Sequence, residues 1–407
     1  MDANAAYGNG AITSLYQRIQ HLYSFLPYYL SPTGASLPTW HYYFEVTRRC
    51  NLRCKMCQYI TWLKTTPAKT QSEGELSTEE WLDVIDQTNR FSLITFTGGE
   101  VFVRKDFMTL LERACSKRRV HFISNATMLN EDRARQCVEL APKRFGGRGF
   151  NFLGTSIDGT REVHDVIRAQ KGAFDKSIRG VSMLAKFRQE SGKKAPLIHV
   201  NTVIQDENLD CLSQMPAIVA EAGGDVLNLL TEMRSFDDLT VGHVDPGKFS
   251  KEDIAQKRID RRRLDAALND TFAEAKRHGI EVRMPRMPYE EVLNHYDQGY
   301  DLRKFQCRSI WFTLYVGSKG GVYPCFIRKV GNVREKRLKE IWNGPELREF
   351  RKRRRQGGFA LCRGCCELEY DAKAARRLDA APAPSKPEDL ASAARSKTEV
   401  SRPMDAG

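Results

Sequence analysis

From residue 40 to about 235 the chain alternates between two hydrophobic periods. Short β-rich runs read "HYYFEV", "SLITFTG", "VHFISN", "NFLGTSID", "LIHVNTVI" and "DVLNLLTE". Between them lie stretches whose apolar residues recur every three or four positions, as on one face of a helix: "STEEWLDVIDQTNR", "VRKDFMTLLERACSKR", "NEDRARQCVELA", "AFDKSIRGVSMLAKFRQE" and "NLDCLSQMPAIVAEAG". Ser77 and Glu80 open the first of these with a capping-box pattern. This succession of strand-helix units predicts an α/β fold, a parallel sheet with helices outside, either open or curled into a partial barrel. On such a sheet the reactive groups belong at the C-terminal ends of the strands.

The pattern changes outside that span. Residues 1–39 contain "SLYQRIQHLYSFLPYYL", an aromatic amphipathic stretch without a charged leader, a cleavage site or the length of a membrane span, and it predicts a packing helix. Residues 236–300 read as a charged helical connector. Residues 301–370 form a second compact region with a hairpin, "WFTLYVGSKGGVYPC", turned by glycines. The tail, 371–407, is rich in Ala, Ser, Pro, Lys and Glu and is expected to be disordered.

The 407 residues are 41% hydrophobic, enough to bury a large domain and a smaller one. Net charge is +13, concentrated in "KRIDRRR" and "FRKRRRQ", so an anionic partner has to be considered. Such runs read as solvated helix faces, and no nucleic-acid recognition motif accompanies them. Eleven cysteines in a long chain without a signal sequence do not make a disulfide framework. They point to a reduced, cytoplasmic protein with thiols free for metal.

Three of those thiols, Cys50, Cys54 and Cys57, fall in "CNLRCKMC", directly after the first strand. A structural zinc site is closed by four ligands, and no histidine or fourth cysteine follows within the next fifty residues. A 4Fe-4S cluster held by three cysteines leaves one iron open. The C-x3-C-x2-C spacing in this position resembles the signature of the radical S-adenosylmethionine (radical SAM) enzymes. The resemblance extends to "TGGE" after the second strand, "ISNATML" after the third and "TSIDGTREVHDVIR" after the fourth. It implies a partial (β/α)6 TIM-like barrel in which Gly98, Gly99, Glu100, Ser124, Asn125, Ser156 and Asp158 lie near the SAM cofactor. Paired glycines allow close backbone approach, a carboxylate suits an ammonium, and Arg168 could fork onto the cofactor's carboxylate. For Ser156 and Asp158 a strand-end turn with a helix cap, and for Arg168 a surface position, are the competing readings.

A second set, Cys307, Cys325, Cys362 and Cys365, lies in the C-terminal region, with Cys366 beside it. As a bare pair of two-cysteine groups it could bind zinc. Together with "GGVYPC", "LKEIW" and "CRGC", it resembles the auxiliary-cluster region of SPASM and twitch radical SAM proteins. No cysteine follows Cys366, which implies one auxiliary 4Fe-4S cluster, as in the twitch type, within a small α+β region. Cys366 is expected to be a neighbouring thiol, although it could replace Cys365. Cys115, Cys137 and Cys211 sit on helical stretches and read as small buried hydrophobes.

The resemblance implies reductive cleavage of SAM to a 5′-deoxyadenosyl radical, hydrogen abstraction from an unactivated carbon, and oxidation of a small metabolite. A peptide substrate presented by a separate recognition protein is the alternative, since the 49 residues before Cys50 show no strand-rich recognition domain. RNA modification and a non-catalytic zinc protein are further alternatives. A one-electron donor such as flavodoxin or ferredoxin is the expected partner, with no membrane and no nucleic acid. Glu232 and His199 lie on strands expected to face the barrel.

Overall fold

The six expected strands form as β1 His41–Thr47, β2 Leu93–Gly98, β3 Arg119–Ser124, β4 Gly149–Ser156, β5 Leu197–Ile204 and β6 Val226–Thr231. All five neighbouring pairs are parallel. The computed structural model describes residues 11–232, 258–297, 301–325, 328–357, 362 and 365–380. Helices Thr78–Asp86, Phe107–Lys117, Glu131–Glu139 and Ala173–Glu190 return the chain between strands, and a 3-10 turn with helix Met215–Glu221 does so before β6. The capping box is present: Ser77 Oγ accepts the Glu80 N–H at 3.2 Å, and Glu80 Oε2 accepts the Ser77 N–H at 2.7 Å.

Alternation along each strand divides it into two faces. Outward residues Phe44, Phe96, Phe122 and Phe150 are fully buried beneath the helices with Trp81 and Phe107. Their rings interlock, Phe122 stacking on Phe150 at 4.5 Å and Phe107 meeting Phe96 edge-on at 5.6 Å. Each such side chain contributes about 1.5–3 kcal/mol of burial. The inner face is polar, and lining residues such as His41, Tyr43, His121, His199 and Asn228 look into a cavity of about 1880 Å³.

Four expectations need correction. The connector is not wholly helical: helix Arg261–His278 is followed by β7, Glu281–Arg283, parallel to β6 and seventh in the barrel wall. Three residues with a charge at each end carry too little alternation to announce a strand; Glu281 and Arg283 pair with each other at 2.7 Å. Leu264 and Leu268 of that helix close a second apolar core against Val200, Leu227 and Leu229.

The C-terminal region, in turn, does not build its own main sheet. After a two-residue strand, β8 Phe305–Gln306, the hairpin of β9 Thr313–Val316 and β10 Gly321–Tyr323 adds to the barrel itself. β9 runs parallel to β1, with His41 opposite Thr313 and Phe44 opposite Val316. With β11, Gly331–Asn332, the sheet reads β11-β10-β9-β1-β2-β3-β4-β5-β6-β7 and stays open at both edges. β12, Glu369–Tyr370, pairs only with β8. One apolar core runs from Trp81 and Phe96 through to Trp311, Leu314, Leu347 and Phe350.

The tail also begins later than expected. Residues 372–379 are a helix, Ala372–Asp379, because Asp371 caps it by accepting the N–H groups of Lys373 and Ala374 at 2.9 and 3.0 Å. The rest of the tail, residues 381–407, lies outside the described residues, as do residues 233–235 at the end of the barrel span and 236–257 and 298–300 of the connector.

The N-terminal stretch is a helix, Ala11–Leu30, laid on the C-terminal region, with Tyr28 edge-on to Trp311 at 5.8 Å. No described helix is long and apolar enough to cross a membrane. The basic runs are not simply solvated faces: Arg263 reaches Asp206 and Asp210 at 3.1 and 3.0 Å, while Arg351 and Arg354 are buried.

Candidate functional site

The thiol loop leaves the C-terminal end of β1 and is fixed from three sides. Thr47 Oγ1 donates to Glu75 at 2.6 Å, and the Arg49 guanidinium pairs with the same carboxylate at 2.9 Å. From β2, the N–H groups of Gly99 and Glu100 donate to the carbonyls of Thr47 and Arg49 at 2.8 and 2.9 Å. From helix Arg161–Arg168, the Ile167 carbonyl accepts the Lys55 N–H at 3.0 Å.

This explains the paired glycines differently from the sequence. A Cβ on Gly98 would stand 2.1 Å from the Thr47 carbonyl oxygen, and one on Gly99 2.3 Å from that of Arg49. The close approach they permit is therefore that of the thiol loop. Glu100 is equally committed: buried, it accepts the Phe102 N–H and Ser124 hydroxyl on Oε1 at 3.1 and 2.8 Å, and the Asn125 N–H on Oε2 at 2.8 Å. Burial raises its pKa. Its carboxylate thereby ties the end of β3 to the turn after β2.

Cys50, Cys54 and Cys57 gather with Leu52, Met56 and Ala173 in one small cluster. The sulfurs already receive donors: Leu52 N–H to Cys50 Sγ and Tyr59 N–H to Cys57 Sγ, each at 3.4 Å. Asn125 Nδ2 stands 4.0 Å from Cys50 Sγ, and Arg168 Nη1 3.6 Å from Cys54 Sγ. Burial pushes the Cys50 thiol up to about 12 and raises Cys57 as well, a cost that a bound cation offsets by favouring thiolate. Among the described residues no group of three or more His, Cys, Asp or Glu is arranged to hold a metal ion. A four-iron cluster, with each thiolate on its own iron, spaces its cysteines more widely than one tetrahedral ion does. Three soft donors with N–H groups on their sulfurs fit such a cluster.

Asp158 is buried beyond the end of β4 and forms an ion pair with Arg168. Its Oδ1 also accepts the Val203 N–H at 3.0 Å, and its own N–H donates to His164 Nδ1 at 3.1 Å. Arg168 is thus an interior residue bridging Asp158 and Cys54, which removes the surface reading. Ser124 and Asn125 end β3 beside Glu100, whereas Ser156 is half-buried at the end of β4, opposite Asn201 of β5. The strand ends therefore bring Gly98, Gly99, Glu100, Ser124, Asn125, Asp158 and Arg168 to the thiol loop, with Glu100, Asp158 and Arg168 engaged in protein contacts.

The second thiol set also converges. Cys307 and Cys362 are buried in the main core, with Cys325 and Cys365 packed partly buried against it. The Cys365 N–H donates to the Cys362 carbonyl at 3.1 Å. Cys366 is exposed and lines the barrel cavity with Glu367 and Tyr370. Cys115, Cys137 and Cys211 are buried, as expected of packing thiols.

Sequence reasoning missed the polar inner wall. His41 Nε2 and His121 Nδ1 flank Thr95 Oγ1 at 2.7 and 3.0 Å, a chain across three strands. Its signal was the polar inner position repeated along β1 to β3. His199 does face the cavity, and its Nε2 is buried without a hydrogen-bond partner. Burial lowers its pKa to about 3, so it is a neutral imidazole. Glu232 lies just beyond β6, where its backbone N–H and carbonyl meet Tyr296 and His295.

Comparison with known proteins agrees with this arrangement. The profile of the Radical SAM superfamily matches residues 44–215, and that of the SPASM iron-sulfur cluster-binding domain matches residues 307–366. The chain is 35% identical over 157 residues to Fe-coproporphyrin III synthase of Methanosarcina barkeri, covering 38% of this chain and 35% of that enzyme. It is 26% identical over 341 residues to AdoMet-dependent heme synthase of the same organism, covering 80% of this chain and 88% of the enzyme. Among solved structures, SuiB of Streptococcus suis bound to S-adenosylmethionine superposes with a TM-score of 0.56 at 14% identity, over 85% of this chain and 74% of SuiB. The chain is a radical SAM enzyme with a SPASM-type C-terminal region, and its cofactors are SAM, a SAM-binding 4Fe-4S cluster and an auxiliary iron-sulfur cluster.

Proposed function

We propose that this enzyme oxidises a small metabolite held in the barrel cavity, abstracting hydrogen from an unactivated carbon and passing one electron towards the C-terminal thiol set. The observation that carries the reading is the cavity wall. It is built from the inner faces of the barrel strands and is completed by Cys366, Glu367 and Tyr370 of the C-terminal cysteine loop. A substrate there meets the barrel strands and the C-terminal cysteine loop together.

Cys50, Cys54 and Cys57 would hold the SAM-binding cluster, and Cys307, Cys325, Cys362 and Cys365 the auxiliary one. When bound, the first cluster and SAM together supply a 5′-deoxyadenosyl radical. Gly98, Gly99, Glu100, Ser124, Asn125, Ser156 and Asp158 shape the strand ends around SAM, chiefly by fixing backbone. Arg168, already paired, orients Cys54 and keeps a guanidinium at the cofactor's edge. The inner wall supplies hydrogen-bonding groups to the substrate, and His199 Nε2 among them has no partner in the protein. A flavodoxin or ferredoxin would provide the first electron.

AdoMet-dependent heme synthase, matched over 88% of its length, directs the substrate search to tetrapyrroles first. The cavity of about 1880 Å³ exceeds the roughly 300–1,000 Å³ of ordinary ligand sites and accommodates a molecule of that size.

The test is anaerobic reconstitution with iron and sulfide, followed by iron counting and assay of 5′-deoxyadenosine with SAM, a reductant and candidate tetrapyrroles. Two four-iron clusters correspond to about eight irons per chain. Replacing Cys50, Cys54 and Cys57 together by alanine should remove about half of the iron and all of the 5′-deoxyadenosine. Zinc in place of iron, or full iron without cleavage of SAM, would overturn the reading. Turnover of a peptide but of no small molecule would replace its substrate.

A further inference from the structure

On the inner wall of the barrel, side chains of β3 and β5 lean over Gly154 of β4. A Cβ at Gly154 would stand 2.9 Å from His121 Nε2 and 3.2 Å from Asn201 Nδ2. Any side chain there would push the two nitrogens away, whereas glycine lets them converge at hydrogen-bond distance of one place. His199 of β5 stands directly opposite Gly154 in the ladder.

These groups have hydrogen-bonding capacity to spare. His121 Nε2 and His199 Nε2 are buried and find no hydrogen-bond partner among the described residues. The Asn201 amide accepts Asn228 Nδ2 on its Oδ1 at 2.8 Å, which leaves its own Nδ2 to face Gly154. Buried polar groups left unpaired are costly, and two of them beside one glycine mark a place that a ligand completes.

The other edge of His121 is held. Its Nδ1 lies 3.0 Å from Thr95 Oγ1, which lies 2.7 Å from His41 Nε2. Thr95 has a single hydroxyl proton, so it accepts from one ring and donates to the other. With His41 donating, Thr95 donates to His121 Nδ1, and the hydrogen of that ring stands on Nε2. Burial lowers the pKa of His121 to about 4 and that of His199 to about 3, so both rings are neutral.

The surroundings select the ligand. His121, His199 and Asn228 line the barrel cavity, and Asn201 stands beyond His199 on β5, towards the strand ends that face the thiol loop. The cavity lining carries more Lys and Arg than Asp and Glu, which favours an anion. A carboxylate has lone pairs for several N–H donors at once, and its hydrogen bonds are charge-assisted.

We propose that His121, His199 and Asn201, gathered around Gly154, form a subsite that binds a carboxylate of the substrate inside the barrel, with Thr95 holding His121 in its Nε2–H form. The inference rests on the reading above that the substrate occupies the cavity. The subsite sets how far the substrate reaches towards SAM.

The test uses the reconstituted full chain and two probes. Binding of coproporphyrin III is followed by its fluorescence, beside its methyl ester, in which the carboxylates are masked. Crystals are soaked in para-bromobenzoate, which the anomalous scattering of bromine locates. The acid should bind at least about tenfold more tightly than the ester. Asn201→Asp, which keeps the shape of the side chain but sets a negative charge against the ligand, should weaken the acid about tenfold and the ester little, and His121→Phe should do the same. The carboxylate of para-bromobenzoate should lie within hydrogen-bond distance of His121 Nε2 and Asn201 Nδ2 and be missing from Asn201→Asp. Equal binding of acid and ester, unchanged affinity in both variants, or only water at His121 Nε2 in the soaked crystals would overturn the proposal. Should neither porphyrin bind, the tetrapyrrole reading falls, and the position of para-bromobenzoate alone decides the subsite.

Discussion

Replacing Gly99 by alanine tests the account of the thiol loop directly. Gly99 lies where the turn after β2 meets that loop, donating to the Thr47 carbonyl at 2.8 Å, while Glu100 beside it donates to Arg49 at 2.9 Å. A Cβ would stand 2.3 Å from the Arg49 oxygen and 2.4 Å from the Arg48 oxygen, backbone atoms that cannot rotate aside. Ordinary contact requires the two segments to part by about 1 Å, which forfeits good packing. Two backbone hydrogen bonds at about 1 kcal/mol each are then stretched or lost, and the overpacking adds about 1–3 kcal/mol. The local cost is about 3–5 kcal/mol, against a global stability of about 5–15 kcal/mol for a typical domain.

The fold should therefore survive while the loop loses its order. Gly99→Ala should keep its far-ultraviolet circular dichroism, reconstitute with about half the iron and release no 5′-deoxyadenosine. Gly279→Ala is the control. Its φ is +66° with nothing within 4 Å of a new Cβ, so it should cost only about 1–2 kcal/mol and keep all its iron. Full iron and undiminished 5′-deoxyadenosine in Gly99→Ala would refute the reasoning.

Two further outcomes follow from ion pairs. Asp158→Asn leaves the interior Arg168 without its counter-charge and should lower stability by about 3 kcal/mol, read from urea denaturation; a loss below about 1 kcal/mol would show that the pair does not hold the site together. The Glu80 carboxyl is held down to about 2, from an ordinary 4.5, by its hydrogen bonds to Arg334. Because its pKa is depressed in the folded state, its stabilisation is present above about pH 4.5 and is lost as pH falls towards 2. Glu80 is about one-third exposed, so the effect is screened to about 0.5 kcal/mol. Glu80→Gln should flatten stability against pH in that window at low salt, and an unchanged slope would contradict the assignment.

The strands of the barrel were legible because each carries its own alternation, and the first thiol set because its spacing is local. What escaped was non-local or too short. Nothing in "TLYV" says that it will lie parallel to "HYYF", since that choice is made by the packing of Leu314 and Val316 into a core they share with Phe44. β7 is only three residues long, and the helix after residue 371 was hidden in alanine- and lysine-rich composition until Asp371 capped it. The glycines of "TGGE" were found, but their need comes from Thr47, Arg48 and Arg49, about fifty residues earlier in the chain. Arg351 and Arg354 looked like solvated charge because a basic run gives no hint of which members turn inward; one faces Trp342 and the other donates to the Gly357 carbonyl.

The pairing of β1 with β9 also bears on how the protein is made. β1 leaves the ribosome long before β9, and the thiol loop follows it at once, yet one of its edges stays open until Thr313–Val316 have been synthesised. An unpaired edge of aromatic and β-branched residues is a site for wrong partners. The nascent chain must therefore carry the thiol loop on an unfinished strand until β9 is made. Slow synthesis between β1 and β9, or truncation before residue 313, should appear as aggregation of iron-poor protein and not as an enzyme that merely lacks its auxiliary cluster.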